Sequence, residues 1–164
     1  MISKKMQDAF NKQINEELFS AYLYQAMAAH FEGINLRGIA NWFSVQAQEE
    51  MVHAKKFYGH ILERGGHVTL EAIAKPKSKW NSVLAAFEES LKHEKHITDC
   101  IEKLVKLADK EGDAASHTML YWFIDEQVEE EASVEGIIEQ LKMVGDNANG
   151  LFMINKILGE RSAG

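Results

Sequence analysis

The chain has 164 residues, 46% of them hydrophobic and 26% charged, with a formal charge of −7 at pH 7. That length fits one domain with its own core, and the negative balance argues against a nucleic-acid partner, whose phosphates need basic surface. No segment approaches the roughly 20 apolar residues of a bilayer span, the first residues lack a signal-like apolar stretch, and Cys100 has no disulfide partner, so a cytoplasmic protein outside any membrane is expected.

The periodicity is helical throughout, with apolar residues recurring in steps of three and four. The first predicted helix, residues 4–32, carries Phe10, Ile14, Glu17, Ala21, Tyr24, Ala28 and Phe31 on one stripe. "EGINLRG" then breaks the pattern, with Asn35 as the expected N-cap. The second helix, 36–64, carries Phe43, Ala47, Glu50, Ala54, Phe57 and Ile61. Residues 65–81 follow as a long connection. A helix of this size is about 43 Å long, and about 17 extended residues reach about 56 Å, so the link can cross the whole bundle and let the second and third helices run parallel. The third helix, 82–110, carries Leu84, Phe87, Leu91, Glu94, Thr98, Ile101 and Val105, and "EGD" ends it with Gly112 as stop and Asp113 as cap. The fourth, 114–143, carries Leu120, Phe123, Gln127, Glu130, Val134, Ile137 and Leu141. The predicted fold is an all-α four-helix bundle over 1–145, with 146–164 forming a short fifth helix and tail of the same domain.

Each long stripe contains a polar residue near mid-helix. Glu17 and Glu50 are 33 positions apart, and so are Glu94 and Gln127, which gives the chain the look of two similar hairpins. Glu17, Glu50, Glu94 and Gln127/Glu130 then share one level of the bundle, and His53 lies on the face of Glu50, three residues on. A buried carboxylate costs several kcal/mol even after relaxation, against a domain stability of about 5–15 kcal/mol. No Lys or Arg lies in the stripes at that level. Either the acids hold protons or cations sit between them. Two divalent cations would balance four carboxylates, and oxygen ligands with one imidazole suit iron, manganese or zinc better than calcium or magnesium.

At these residues the chain resembles the ferritins, specifically the haem-free type of bacteria and archaea, over essentially its whole length. That family's known template takes a Glu from two helices and Glu-x-x-His from the other two. Glu17 and Glu94 match the lone acids and Glu50-x-x-His53 matches one pair. The fourth helix departs with Gln127-x-x-Glu130, as in true ferritins. The resemblance implies a first iron held by Glu17, Glu50 and His53, and a second by Glu50, Glu94 and Glu130, with Gln127 close by and Tyr24 beside the centre. It further implies a third iron site at Glu49, Glu126 and Glu129. The implied function is iron storage: Fe(II) is oxidised by dioxygen or peroxide at a di-iron ferroxidase centre, and ferric mineral is deposited inside a hollow homo-oligomer of 24 subunits.

Met51 falls where haem-binding bacterioferritins carry their haem ligand, so that relative is an alternative, although the missing second Glu-x-x-His counts against it and no haem is expected. A rubrerythrin-like peroxidase would want a CxxC-type site, which Cys100 cannot supply. A non-storage helical scaffold with protonated core acids is the alternative outside the enzymes. His93 and His96 flank Glu94 off its stripe and read as solvated.

Overall fold

The computed structural model describes residues 1–162. The predicted helices are all present: α1 (Lys4–Gly33), α2 (Arg37–Glu63), α3 (Val83–Glu111), α4 (Ala114–Val144) and α5 (Ala148–Leu158). Short polar residues start three of the long helices: Ser3, Ser82 and Asp113 accept hydrogen bonds from the backbone N–H of Met6, Ala85 and Ser116.

Helix α2 is different, and the expectation of an Asn35 cap fails. Asn35 has φ 63°; the tight α1–α2 turn needs one left-handed residue, and Asn tolerates that conformation. The cap comes instead from α5. Asn155 Oδ1 accepts from the backbone N–H of both Gly38 and Ile39 at 3.0 Å. This contact explains Gly38: a Cβ there would lie 1.6 Å from the Asn155 carbonyl oxygen.

The connection after α2 runs the length of α1. Near the start of α1, Gln7 Oε1 accepts from the His67 N–H and Asn11 pairs with Thr69; Asn15 donates toward Glu71 and Ala72; near its end, His30 packs on Trp80. The link therefore returns the chain to the end where α2 began, and α2 and α3 run parallel.

Two apolar clusters fill the bundle. One, toward the α1–α2 turn, includes Tyr24, Met27, Phe31, Trp42, Phe43, Phe87, Ile137 and, from α5, Ile154 and Leu158. The other includes Met6, Phe10, Phe57, Ile61, Ile97, Ile101, Leu120 and Phe123. Between them lies a polar layer: Glu17, Glu50, His53, Glu94 and Gln127 are all buried. The deep stripe of α3 sits about one residue earlier than the spacing predicts. Leu84, Leu91, Thr98 and Val105 are half-buried shoulders, whereas Ala86, Ser90, Ile97, Leu104 and Ala108 are buried. Small Ala86, Ser90 and Ala108 let neighbouring helices approach without carrying a strong apolar signal. Among the described residues, no helix is long and apolar enough to cross a membrane.

Candidate metal centre

Each long helix sends at least one polar side chain into the layer between the clusters. Glu17, Glu50, His53, Glu94 and Gln127 are at most 2% exposed. His53 Nδ1 lies 3.2 Å from Glu50 Oε2 and 4.0 Å from Glu17 Oε2, and its Nε2 lies 4.0 Å from Glu130 Oε1. One ligand atom each from Glu17, Glu50 and His53 falls within 4.8 Å of the others, and the same holds for Glu50, Glu94 and Glu130. The two groups share Glu50.

Amides, hydroxyls and the His53 ring, with no Lys or Arg among the described residues, hold these acids. Gln13 Nε2 donates to Glu17 Oε1 at 2.8 Å. Gln46 Nε2 donates to Glu50 Oε1 at 3.0 Å and to Glu130 Oε1 at 2.9 Å. The Tyr24 hydroxyl donates to Glu94 Oε1 and accepts from Ser90 Oγ at 3.2 Å. Gln127 Nε2 donates to the Glu94 backbone carbonyl at 3.1 Å and faces Glu94 Oε2 at 3.3 Å. Two atoms are left over: among the described residues, Glu17 Oε2 and Glu130 Oε2 are buried with no hydrogen-bond partner. A buried acceptor left unmade costs about 1–3 kcal/mol, so a fold that keeps two in one layer leaves room for a further ligand there.

The electrostatics of the layer follow. Burial, then the Glu50 charge, pushes the Glu17 carboxyl well above its ordinary range. The same causes raise Glu94 to about 8, with the Tyr24 and Gln127 hydrogen bonds opposing. Glu130 is also raised, by burial and then by the charges of Glu50 and Glu94. Burial, followed by the Glu94 charge, raises the Tyr24 hydroxyl. Burial pulls His53 down, but the hydrogen bond and charge of Glu50 outweigh it and its basicity rises. Without a cation the layer therefore holds protons; with one, it can exchange them for metal. The orphaned oxygens and the set of carboxylates with one imidazole fit a pair of hard-to-borderline divalent ions.

The flank is different. Glu126 Oε2 lies 3.7 Å from His53 Nε2, while Glu49 is engaged by Arg161 and Glu129 is exposed. These three acids do not form a compact ligand group among the described residues. Trp122 packs edge-on against His53 at 5.5 Å.

Sequence reasoning missed several supports. Gln13 and Gln46 precede Glu17 and Glu50 by four residues each, a repeated Gln-x-x-x-Glu spacing that was there to be read. Arg161 carried no signal. It arrives from beyond α5, donates to Gln46 Oε1 at 2.9 Å and to Glu49 Oε2 at 2.5 Å, and sits over the Trp42 ring. It therefore brings a positive charge to the edge of a level whose stripes have none. His93 is not solvated as expected: its Nε2 lies 2.7 Å from Ser20 Oγ, its ring stands against Phe19 and Tyr24, and burial lowers its basicity. Glu131, on the flank of α4, accepts from the Thr98 hydroxyl.

Comparison with known proteins agrees with this architecture. Residues 7–144 match the family described as "Ferritin-like domain". The chain is 42% identical to the bacterial non-heme ferritin of Staphylococcus saprophyticus, covering 99% of this chain and 97% of that one. It is 41% identical to the bacterial non-heme ferritin of Staphylococcus aureus strain MRSA252, covering 99% and 98%. Among solved structures, a closed form of the Archaeoglobus fulgidus ferritin engineered by site-directed mutagenesis is 46% identical, with a TM-score of 0.98 and full coverage of both chains. The open-pore ferritin of the same archaeon is also 46% identical, with a TM-score of 0.97 and 99% of each chain covered. With a family match over most of its length and such identity across nearly all of it, the chain belongs to the ferritin family, in its bacterial and archaeal non-haem branch.

Proposed function

We propose that the protein is an iron-storage ferroxidase. Iron is its substrate and cargo. In this reading Glu17, Glu50 and His53 take a first Fe(II), and Glu50, Glu94 and Glu130 take a second, with Glu50 bridging. One observation carries the assignment: two ligand groups overlap at Glu50 and leave Glu17 Oε2 and Glu130 Oε2 buried without partners. Gln13, Gln46 and Gln127 orient the acids, and Tyr24 fixes Glu94. Metal entry displaces the protons that burial holds on the carboxylates.

Two adjacent Fe(II) ions give up one electron each, so dioxygen takes two electrons and two protons to leave as hydrogen peroxide, without one-electron reduced oxygen escaping. Peroxide can serve as oxidant in turn. The metals carry the redox chemistry, and the protein contributes ligand geometry and charge. In this reading ferric product leaves past the flank, where Glu126 reaches toward His53, and Glu49 and Glu129 must draw in beside it to hold a third iron. It mineralises within a hollow homo-oligomer of 24 subunits in the cytoplasm. The non-heme relatives weigh against the bacterioferritin alternative.

The test is stopped-flow oxidation at two Fe(II) per subunit, combined with particle mass and iron content. Rapid oxidation and an iron-loaded particle of many subunits are expected; slow oxidation at the buffer rate would overturn the reading. The raised carboxyls also suit a scaffold whose core acids stay protonated. Anaerobic ferrous titration separates the two, since a scaffold would take up no iron at the layer.

A further inference from the structure

Glu16 and Glu17 are neighbours in α1 but point to different places. Glu17 enters the buried layer; Glu16, its side chain 38% exposed, reaches the outer seam between α1 and α3. There it meets His96 and Cys100, which lie four residues apart on one face of α3. Glu16 Oε2 is 2.9 Å from His96 Nε2, and Cys100 Sγ is 3.7 Å from the same nitrogen. All three ligand atoms fall within 4.8 Å of one another. The oxidation chemistry uses none of these residues.

We propose that Glu16, His96 and Cys100 form a second, separate metal site, with three protein ligands and an open fourth position, for a zinc-class divalent ion. The donor types select the ion: one thiolate, one imidazole and one carboxylate suit a borderline-soft metal, in contrast to the carboxylate-rich layer inside the bundle. The spacing suits it too. With the usual zinc bond lengths, tetrahedral ligation places N and O about 3.3 Å apart and N and S about 3.6 Å apart. The observed separations differ from these by a few tenths of an ångström, within reach of side-chain rotation. His96 is about half exposed, so an ion can arrive from solvent.

Binding balances simply. The Cys100 thiol loses its proton to water and the sulfur joins the metal as thiolate; the neutral imidazole joins through Nε2 with its proton on Nδ1, and the carboxylate is already anionic. Burial and the Glu16 charge raise the free thiol, so ion uptake releases a proton near neutral pH. Since Glu16 belongs to the first hairpin and the other two ligands to the second, a bound ion ties the hairpins together and raises the melting temperature.

Cobalt(II) is the probe, added to the reduced full-length protein after its single thiol has been counted. A sulfur-to-cobalt charge-transfer band is expected, because the buried layer contains no sulfur ligand. Zinc should bleach it. Cys100→Ser should abolish the band and leave ferrous oxidation unchanged; His96→Ala should weaken cobalt affinity at the band at least tenfold; Glu50→Ala should leave the band in place. No band from a protein with a titratable thiol would overturn the proposal. So would a band that survives Cys100→Ser, or one indifferent to His96→Ala, which would mark ordinary thiol binding.

Discussion

Glu49 and Glu50 are adjacent on α2 and meet opposite fates. Glu50 turns into a dry layer where no Lys or Arg pairs with it among the described residues, and two neighbouring carboxylate oxygens have no partner at all. Glu49 turns to the flank, where Arg161 supplies a counter-ion and part of the side chain meets water. Glu50 is an acid kept for an incoming cation, and Glu49 is one the chain has already neutralised. Burial alone does not decide it. What decides it is whether the fold has provided the positive charge itself.

The largest effect is expected at Glu50. Glu50→Ala removes the ligand that both groups share, and the rate of oxidation at two irons per subunit is expected to fall roughly a hundredfold or more, at or beyond the upper end of what loss of a supporting residue costs. His53→Ala removes a ligand of one group only, so a smaller loss is expected, with the second metal still bound. Stopped-flow absorbance reads both. Near-normal rates in Glu50→Ala would end the di-metal assignment.

Glu94 sharpens the contrast through pH. Its folded-state pKa, about 8, lies above the unfolded value near 4.3. The folded metal-free protein thus binds a proton that the unfolded chain releases. The stability this contributes is fully present below the unfolded value and is lost as pH rises through the folded one. Glu94→Gln keeps a side chain that can accept from Tyr24 but removes the charge. The metal-free variant should melt close to the native protein at pH 5 and several degrees above it at pH 8–9, at about 2–4 °C per kcal/mol for a chain of this size. A gap that does not grow with pH would show that the layer holds no excess proton. Glu94→Leu is a less clean test, because the Tyr24 hydroxyl would lose its acceptor.

The centre was largely legible in the sequence because it obeys helix periodicity. Glu17, Glu50, Glu94 and Gln127 interrupt apolar stripes at matched depth, and such a stripe buries whatever lies on it. The crossover was legible from length alone. The misses share one cause: they depend on contacts between distant segments. Asn35 looks like a cap, but the turn needed its backbone in the left-handed region, and Asn155, more than a hundred residues away, does the capping. The burial of His93 follows from Ser20 and Phe19 on α1, which no spacing within α3 reports. The fifth helix reads as an apolar run, yet only its Ile154 and Leu158 are buried against the bundle, and Phe152, Met153 and Ile157 remain exposed.

Arg161 is the next point of attack, with a moderate effect expected. Its guanidinium joins Gln46, Glu49 and the Trp42 ring. The ion pair is partly exposed and should contribute at most about 1 kcal/mol, and the ring contact about 0.5–1 kcal/mol. Arg161→Ala should therefore lower the melting temperature by a few degrees. It should also free Glu49 for cations, so that a third ferrous ion binds more tightly while the first two are unaffected. Calorimetric titration under anaerobic conditions checks this. A third iron bound more weakly than in the native protein would mean that Arg161 orders the flank and does not compete for it.

The smallest effect on the fold is expected from the flank acids themselves. Glu126 and Glu129 lie on α4 beside its buried stripe, one half-exposed and the other exposed. Removing both carboxylates with Glu126→Ala/Glu129→Ala should change stability by at most about 1 kcal/mol, since exposed charges are weakly coupled to folding. The central layer keeps Glu17, Glu50, His53, Glu94 and Glu130, so the first two irons per subunit should be oxidised at the native rate. The difference should appear only afterwards. A third ferrous ion should no longer bind, and the centre should regain activity more slowly after its first turnover, because ferric product has lost its carboxylates on the way out. Anaerobic titration should then saturate at two irons per subunit where the native protein takes three. If the double variant still takes three, the flank acids are a solvated face and the third iron is held by other residues.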